Sequence, residues 1–163
     1  MRSLYHDHLF AIRGIKLDTI SAFMTQGHRH CDMLFAEAEN AVVDGDWEAA
    51  TRHFAAFEGE TKRHFNAEEE IMFPAFESAT GMAMGPTEVM RMEHRQMRGV
   101  FAEMADAVRL RDPNAFLGAS ETLLMLMQQH NLKEEQMLYR MTDQVLAGER
   151  GTTVLAAMRE LGA

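Results

Sequence analysis

Polar and apolar residues do not alternate along this chain over any stretch long enough to form a β-strand, and valine and isoleucine are few. Residue types that favour helices dominate instead, chiefly Ala, Glu, Met, Leu, Arg and Gln. Short groups of Gly, Pro and Asp interrupt this composition at only a few places. The sequence therefore predicts an all-α protein made of a few long helices.

The interruptions indicate where these helices begin and end. Asp46 follows a glycine turn and Asp112 precedes a proline, so both are good N-cap residues for the helices after them. Pro74 should kink or end the helix in which it lies. The predicted long helices lie near 19–43, 47–77, 87–110 and 114–147, and a short one lies near 153–161.

Four long helices with short connections favour an up-down-up-down four-helix bundle. We assign the bundle to residues 19–148, an N-terminal arm to 1–18, and a short C-terminal helix or tail to 149–163. The arm contains Tyr5 and two histidines, His6 and His8, and its path does not follow from the sequence.

The composition is that of a globular protein and excludes several other classes. The chain has 163 residues, 47% of them hydrophobic, which suits one domain. A net charge of −9 argues against a nucleic-acid partner, and the single cysteine excludes a disulfide framework. No apolar run of about 18 residues is present, and the segment MRSLYHDHLFAIRG lacks a signal-peptide core. We therefore expect a cytoplasmic protein without a membrane span.

Eight histidines are present, and four of them recur in an internal repeat. A shift of 66 positions aligns the chain with itself without a gap, so that two helical hairpins share one design. Each hairpin has one histidine on its first helix and a His-x3-Glu pair on its second. The repeat-related pairs are His28 with His94, His64 with His130, and Glu68 with Glu134.

The four repeated histidines are predicted to lie at one level of the bundle. In an antiparallel hairpin, residues equidistant from the turn lie side by side. Positions 28 and 64 are equidistant from the turn at 46, and positions 94 and 130 from the turn at 112. Each glutamate follows its histidine by four residues, so the two side chains share a helical face.

Four imidazoles and two carboxylates would thus converge in the interior, where unpaired carboxylates are costly. Metal coordination is the usual solution, and bundle cores are known to hold two-metal sites. Two bridging carboxylates and two histidines per ion would leave room for a further ligand. Nitrogen and oxygen donors without thiolate suit iron, manganese or zinc, and a redox-active pair favours iron. We predict His28, His64, Glu68, His94, His130 and Glu134 as the ligands.

These residues resemble the hemerythrin family, specifically its HHE cation-binding branch. The order of ligands is the same, and the stretch HFNAEEEIMFPAFE resembles the family's H-x3-E-E-x3-F-P segment. The resemblance covers about residues 25–146 and implies a non-haem di-iron centre in a four-helix bundle. It implies reversible dioxygen binding, oxygen or redox sensing, or handling of iron or nitric oxide.

Two departures separate this chain from the oxygen carriers of that family. The carriers have a second histidine one turn after the histidine of the third helix, and this chain has Arg98 there. The carriers also have an aspartate where this chain has Glu134. Either both irons are then equally open, or another group fills the gap. Iron-centre repair proteins resemble the pattern of four histidines and two glutamates more closely.

Two classes of function therefore stay open. The first is a binding or sensing protein for dioxygen, nitric oxide or redox state, and the second is a di-iron enzyme or iron donor. No nucleophile triad or phosphate loop is visible, which favours the first. A homodimer and a separate signalling or iron-acceptor partner are further expectations.

The spacing also assigns roles to residues around the six candidate ligands. We expect Glu93 and Glu60 to accept hydrogen bonds from ligand histidines and fix their tautomers. We expect Glu69 and Glu135 to face solvent, since an i+5 position rotates away from the histidine face of an α-helix; the alternative is that they support or replace a ligand carboxylate.

Overall fold

The computed structural model describes residues 18–162, and all regular structure within that range is helical. The α-helices are α1 (Ile20–Val43), α2 (Trp47–Ala67), α3 (Phe73–Thr80), α4 (Pro86–Leu110), α5 (Pro113–Lys133), α6 (Tyr139–Val145) and α7 (Glu149–Leu161). Two π-helical segments, π1 (Glu68–Met72) and π2 (Glu134–Leu138), connect α2 to α3 and α5 to α6. The arrangement is consistent with a helical bundle, and the predicted helical class is confirmed. The expectations for Tyr5, His6 and His8 lie outside the described residues.

The two predicted hairpin turns are present and capped as expected. The side chain of Asp46 accepts a hydrogen bond from the Ala49 amide at 2.9 Å, which caps α2. Asp112 caps α5 in the same way through the Ala115 amide at 3.0 Å. These two turns set the register of the hairpins, and so the heights at which their histidines lie.

The helical segments predicted over 47–77 and 114–147 are present, but a π-helical segment interrupts each of them. The amide of Phe73 donates to the Glu68 carbonyl, and that of Tyr139 donates to the Glu134 carbonyl. Each bond spans five residues instead of four, so one extra residue enters the turn. Pro74 lies in the first turn of α3, where its missing N–H costs little. No proline follows π2, so proline is not their common cause.

The core consists of two hydrophobic clusters. The first lies near the hairpin turns, and its large members include Phe35, Phe57, Phe101 and Phe116. The second lies at the other end, and its members include Met24, Phe73, Phe76, Leu155 and Met158. Thus α7, which begins four residues earlier than predicted, covers the second cluster. A layer of buried histidines and glutamates lies between the two clusters, where His94 stacks on Phe65 of the first and Phe73 of the second.

Asp143 in α6 binds backbone amides at the N-terminal end of α1. Its carboxylate accepts hydrogen bonds from the Ile20 amide at 3.0 Å and the Ser21 amide at 3.3 Å. These contacts hold α6 against the first turn of α1. In the part of the chain that the structure describes, no helix is both long and apolar enough to cross a membrane.

Candidate metal centre

All six predicted ligands meet in the polar layer between the two hydrophobic clusters, and all are buried. Each of four α-helices contributes one histidine, and each π-helical segment contributes its first residue, a glutamate. They are His28 of α1, His64 of α2, His94 of α4, His130 of α5, Glu68 of π1 and Glu134 of π2.

The six side chains form two overlapping clusters that share both carboxylates. The first cluster contains His28 and His64 with the two glutamates, and the second contains His94 and His130 with the same glutamates. Within each cluster the donor atoms lie within 4.8 Å of one another. Glu68 and Glu134 thus lie between the two histidine pairs, as bridging groups would.

The repeat found in the sequence is also present in the geometry. The ring centroids of His28 and His64 are 4.7 Å apart, and those of the second pair are also 4.7 Å apart. Nε2 of His28 lies 3.1 Å from Glu134, and the equivalent Nε2 of His94 lies 3.3 Å from Glu68. Each hairpin therefore provides one histidine that contacts the glutamate of the other hairpin.

Three further carboxylates bind the outer nitrogens of the histidines. Nδ1 of His28 lies 2.7 Å from Glu135, and Nδ1 of His94 lies 2.7 Å from Glu69. Glu93 lies 2.8 Å from Nδ1 of His130, as predicted. With the proton on Nδ1 in these three rings, the Nε2 lone pairs face the interior, where a metal ion would use them.

The prediction that Glu69 and Glu135 face solvent was wrong because it assumed uninterrupted α-helix. A π-helical turn rotates less per residue, so the residues after Glu68 and Glu134 reach a neighbouring helix. The prediction for Glu60 was also wrong, since its carboxylate pairs with Arg63 of its own helix.

The position that corresponds to Glu93 in the other hairpin is a glycine, Gly27, and it lies against the His64 ring.

Tyr139 is a site residue that spacing did not reveal. Its ring is fully buried, and its hydroxyl donates to Glu68 at 2.6 Å and lies 2.9 Å from Glu134. It follows Glu134 by five positions, which places it on the same face only because π2 intervenes. The sequence signal that could have revealed Tyr139 is its alignment with Phe73 in the repeat, because the two side chains differ only by the hydroxyl group of the tyrosine.

The geometry of these donors fits metal coordination. Nε2 of His94 and Nε2 of His130 are 3.0 Å apart. Two nitrogens bound at right angles to one ion at about 2.1 Å would be about 3.0 Å apart. One buried oxygen on each of Glu68 and Glu134 has no hydrogen-bond partner in the described structure, although a histidine nitrogen lies 3.3 Å and 3.2 Å away, respectively. Such unpartnered oxygens are costly unless a cation binds them.

The family model of the hemerythrin HHE cation binding domain matches residues 19–142. The chain belongs to the hemerythrin HHE cation-binding family. No curated protein and no solved structure matched the chain. For a member of this family, metal binding through the two His/Glu clusters is the expected property.

Arg98, which stands where oxygen-carrying hemerythrins have a further histidine, belongs to neither donor cluster of this hemerythrin domain. Its guanidinium donates to Glu69 at 2.8 and 3.1 Å and lies over the Phe65 ring, 5.3 Å from its centroid. Burial disfavours the charged form of Glu69, but hydrogen bonds from His94 and Arg98 outweigh it and lower its pKa to about 2. Arg98 therefore keeps Glu69 ionised and oriented towards His94.

Carboxylates control the protonation of part of this hemerythrin site, whereas burial and the charge of His28 lower the pKa of His64 well below its usual value. Burial opposes protonation of His28, yet hydrogen bonds to Glu134 and Glu135 outweigh it and raise its pKa to about 10. Burial and the nearby Glu134 carboxylate raise the pKa of Glu68 above its usual value. Without cations the carboxylates are thus balanced by protons, and metal ions would displace those protons.

Proposed function

We propose that this protein holds two iron ions at the centre of an up-down-up-down four-helix bundle and uses them to bind or sense dioxygen, nitric oxide or redox state. The observation that carries this proposal is the convergence of four imidazoles and two shared carboxylates in one buried layer. A single ion held by one cluster would leave the two imidazoles of the other cluster unused. Two ions, each with four protein donors, use all of them.

Each candidate ligand would have a defined role in holding the ions. The first ion would be held by His28 and His64 and the second by His94 and His130, with Glu68 and Glu134 bridging the two. A redox-active iron pair supplies reversible electron transfer to a small ligand when bound. Manganese and zinc suit the same donors and are the substitutes to be tested, since the donor types alone admit them.

The chain's own residues would fix the geometry and exclude water. Glu69 and Glu135 accept hydrogen bonds from the outer nitrogens of two ligand rings, and this fixes the tautomer of each. Phe65 stacks on His94 with ring centroids 3.8 Å apart. Such a dry site admits a small uncharged ligand such as dioxygen or nitric oxide more readily than a charged substrate.

Metal content and optical spectra test this function directly. We expect close to two irons per chain by elemental analysis after purification from iron-supplied cells. We expect an absorption band that appears on aeration and disappears when oxygen is removed. Irons that oxidise once and stay oxidised would favour the alternative, an enzyme or iron donor. A chain with no iron, or with one zinc, would refute the di-iron proposal.

A double variant tests the proposed bridging role of Glu68 and Glu134. The double substitution Glu68→Ala with Glu134→Ala should abolish binding of both ions while the helical circular-dichroism signal persists. Glu70→Ala is the matched control, because Glu70 is exposed and lies two positions from Glu68. Unchanged metal content in the double variant would show that the bridging assignment is wrong. The cytoplasmic location, a homodimer and a separate signalling or iron-acceptor partner stay predictions.

A further inference from the structure

One difference between the two halves of the metal centre is a hydroxyl group. Tyr139 and Phe73 occupy equivalent positions in the repeat. The Tyr139 ring stacks on His28 with centroids 5.6 Å apart, and the Phe73 ring stacks on His94 with centroids 6.0 Å apart. The rings beside the two clusters thus correspond, but among residues 18–162 a phenol oxygen lies beside the first cluster only.

This oxygen lies among the four donors of the first cluster. It is 2.6 Å from Glu68 Oε1 and 2.9 Å from Glu134 Oε2. It is also 3.0 Å from His28 Nε2 and 3.3 Å from His64 Nε2. Ligand atoms bound to one ion at right angles are about 3.0 Å apart. The phenol oxygen therefore has the same spacing to the four donors that they would have to one another around an ion.

The backbone holds this arrangement in place. The Tyr139 amide donates to the Glu134 carbonyl across the five-residue turn of π2, which brings the two side chains to one face. The ring is fully buried in the second hydrophobic cluster. Tyr139 is consequently fixed before any ion binds, and no loop movement is needed to bring its oxygen to the site.

We propose that the phenol oxygen of Tyr139 is a fifth protein ligand of the ion held by His28 and His64. On binding, the O–H bond breaks, the oxygen keeps both electrons and donates a pair to the ion, and the proton is released to water. A bound cation favours this ionised form even beside carboxylates, as it does for other acidic ligands.

The consequence is that the two ions are not equivalent. The first ion would have five protein donors, and the second would have four, with the hydrocarbon rings of Phe65 and Phe73 beside it. A small ligand would therefore bind at the second ion, on the side of His94 and His130. This inference rests on the proposed function, because it requires both ions to be present.

The spectrum of the iron-loaded protein tests the inference. Ferric iron bound to a phenolate gives a visible charge-transfer band, and excitation into it enhances tyrosine ring vibrations in the Raman spectrum. The chain has two tyrosines, so Tyr5→Phe is the matched control. We expect wild type and Tyr5→Phe to show the band, and Tyr139→Phe to lose it at unchanged iron content. Ring-deuterated tyrosine in the Tyr5→Phe background should shift the enhanced vibrations, and this measurement does not require Tyr139→Phe to fold.

The outcomes separate this inference from the proposed function. Two irons per chain without the band, or without the isotope shift, would refute a Tyr139 ligand and leave the di-iron proposal standing. A band that is lost in Tyr5→Phe and kept in Tyr139→Phe would also refute it. Wild-type protein without iron would refute the proposed function itself.

Discussion

Gly27 offers a sharp test of how the first ion site is built, because it leaves room for the His64 ring. A Cβ atom added at Gly27 would lie 2.6 Å from Nδ1 and 3.0 Å from Cε1 of that ring, whereas ordinary contacts begin at 3.4 Å. Gly27→Ala must therefore displace the His64 ring by about 0.8 Å, more than the ~0.5 Å within which a functional site has to be held. We expect this displacement to weaken the first ion site specifically.

The magnitude follows from two opposing effects. Overpacking of a buried site costs about 1–3 kcal/mol, while replacing glycine by alanine inside a helix gains about 1 kcal/mol. The metal-free variant should therefore be destabilised by about 0–2 kcal/mol. Misplacing His64 should weaken binding at the first ion by about 10- to 100-fold, by analogy with losing an orienting partner of a ligand. The second ion should be affected less.

Gly99→Ala is the matched control. Gly99 is exposed in the middle of α4, and a Cβ added there meets no atom within 4 Å. This variant should gain about 1 kcal/mol from helix propensity and bind metal as wild type does. Chemical denaturation of the metal-free proteins and metal titration with calorimetry would measure both effects. If Gly27→Ala matched Gly99→Ala in stability and in metal affinity, the argument that Gly27 positions a ligand would be wrong.

Two further predictions concern other parts of the molecule. Phe73→Tyr should place a second phenol beside the second cluster, because Phe73 is the counterpart of Tyr139. Spectrophotometric titration should then show that nitric oxide binds at least about 10-fold more weakly than to wild type. An unchanged affinity would contradict the proposal that the small ligand binds at the second ion. Glu77→Gln should destabilise the contact between α3 and α4 by about 1 kcal/mol at neutral pH, since Glu77 accepts hydrogen bonds from Arg91 and from Thr87 at 2.6 Å. Burial opposes ionisation of Glu77, but these bonds outweigh it and lower its pKa from 4.5. The contribution of Glu77 to the free energy of unfolding is therefore present above pH about 4.5 and is lost as the pH falls through its lower pKa in the folded state. Urea unfolding should show that the stability difference between Glu77→Gln and wild type becomes smaller in acid. A difference that is independent of pH would refute this origin.

The helical class, the hairpin turns and the meeting of the six predicted ligands all followed from the sequence, because each depended on local rules or on the repeat. An aspartate directly before a helix is a favoured cap, as Asp46 and Asp112 are. Two histidines that are equidistant from a hairpin turn lie at the same height. The roles of Glu69 and Tyr139 did not follow. Both depend on five-residue hydrogen bonds in π1 and π2, which α-helical spacing does not represent.

Arg98 illustrates a second limit of spacing. The sequence shows that a carrier histidine is replaced, but the partner of the new side chain lies in π1, 29 residues away along the chain. Only the packed structure shows that the arginine holds Glu69 instead of opening the site. Long-range polar contacts of this kind leave no periodic signal in a single sequence.

The polar layer also has a consequence for how the protein unfolds. It separates the hydrophobic cluster near the hairpin turns from the cluster that includes Phe76 and Leu155, and charged groups cannot replace the apolar contacts between them. If the proposed ions bind, residues from both hairpins would be joined through shared ligands, and we expect the two ends of the core to unfold as one cooperative unit. Without the ions, we expect the end formed by α3 and α7 to open as a separate local unit while the turn end stays folded. Iron supply would thus control not only the chemistry of this protein but also its local unfolding, and with that its susceptibility to proteolysis.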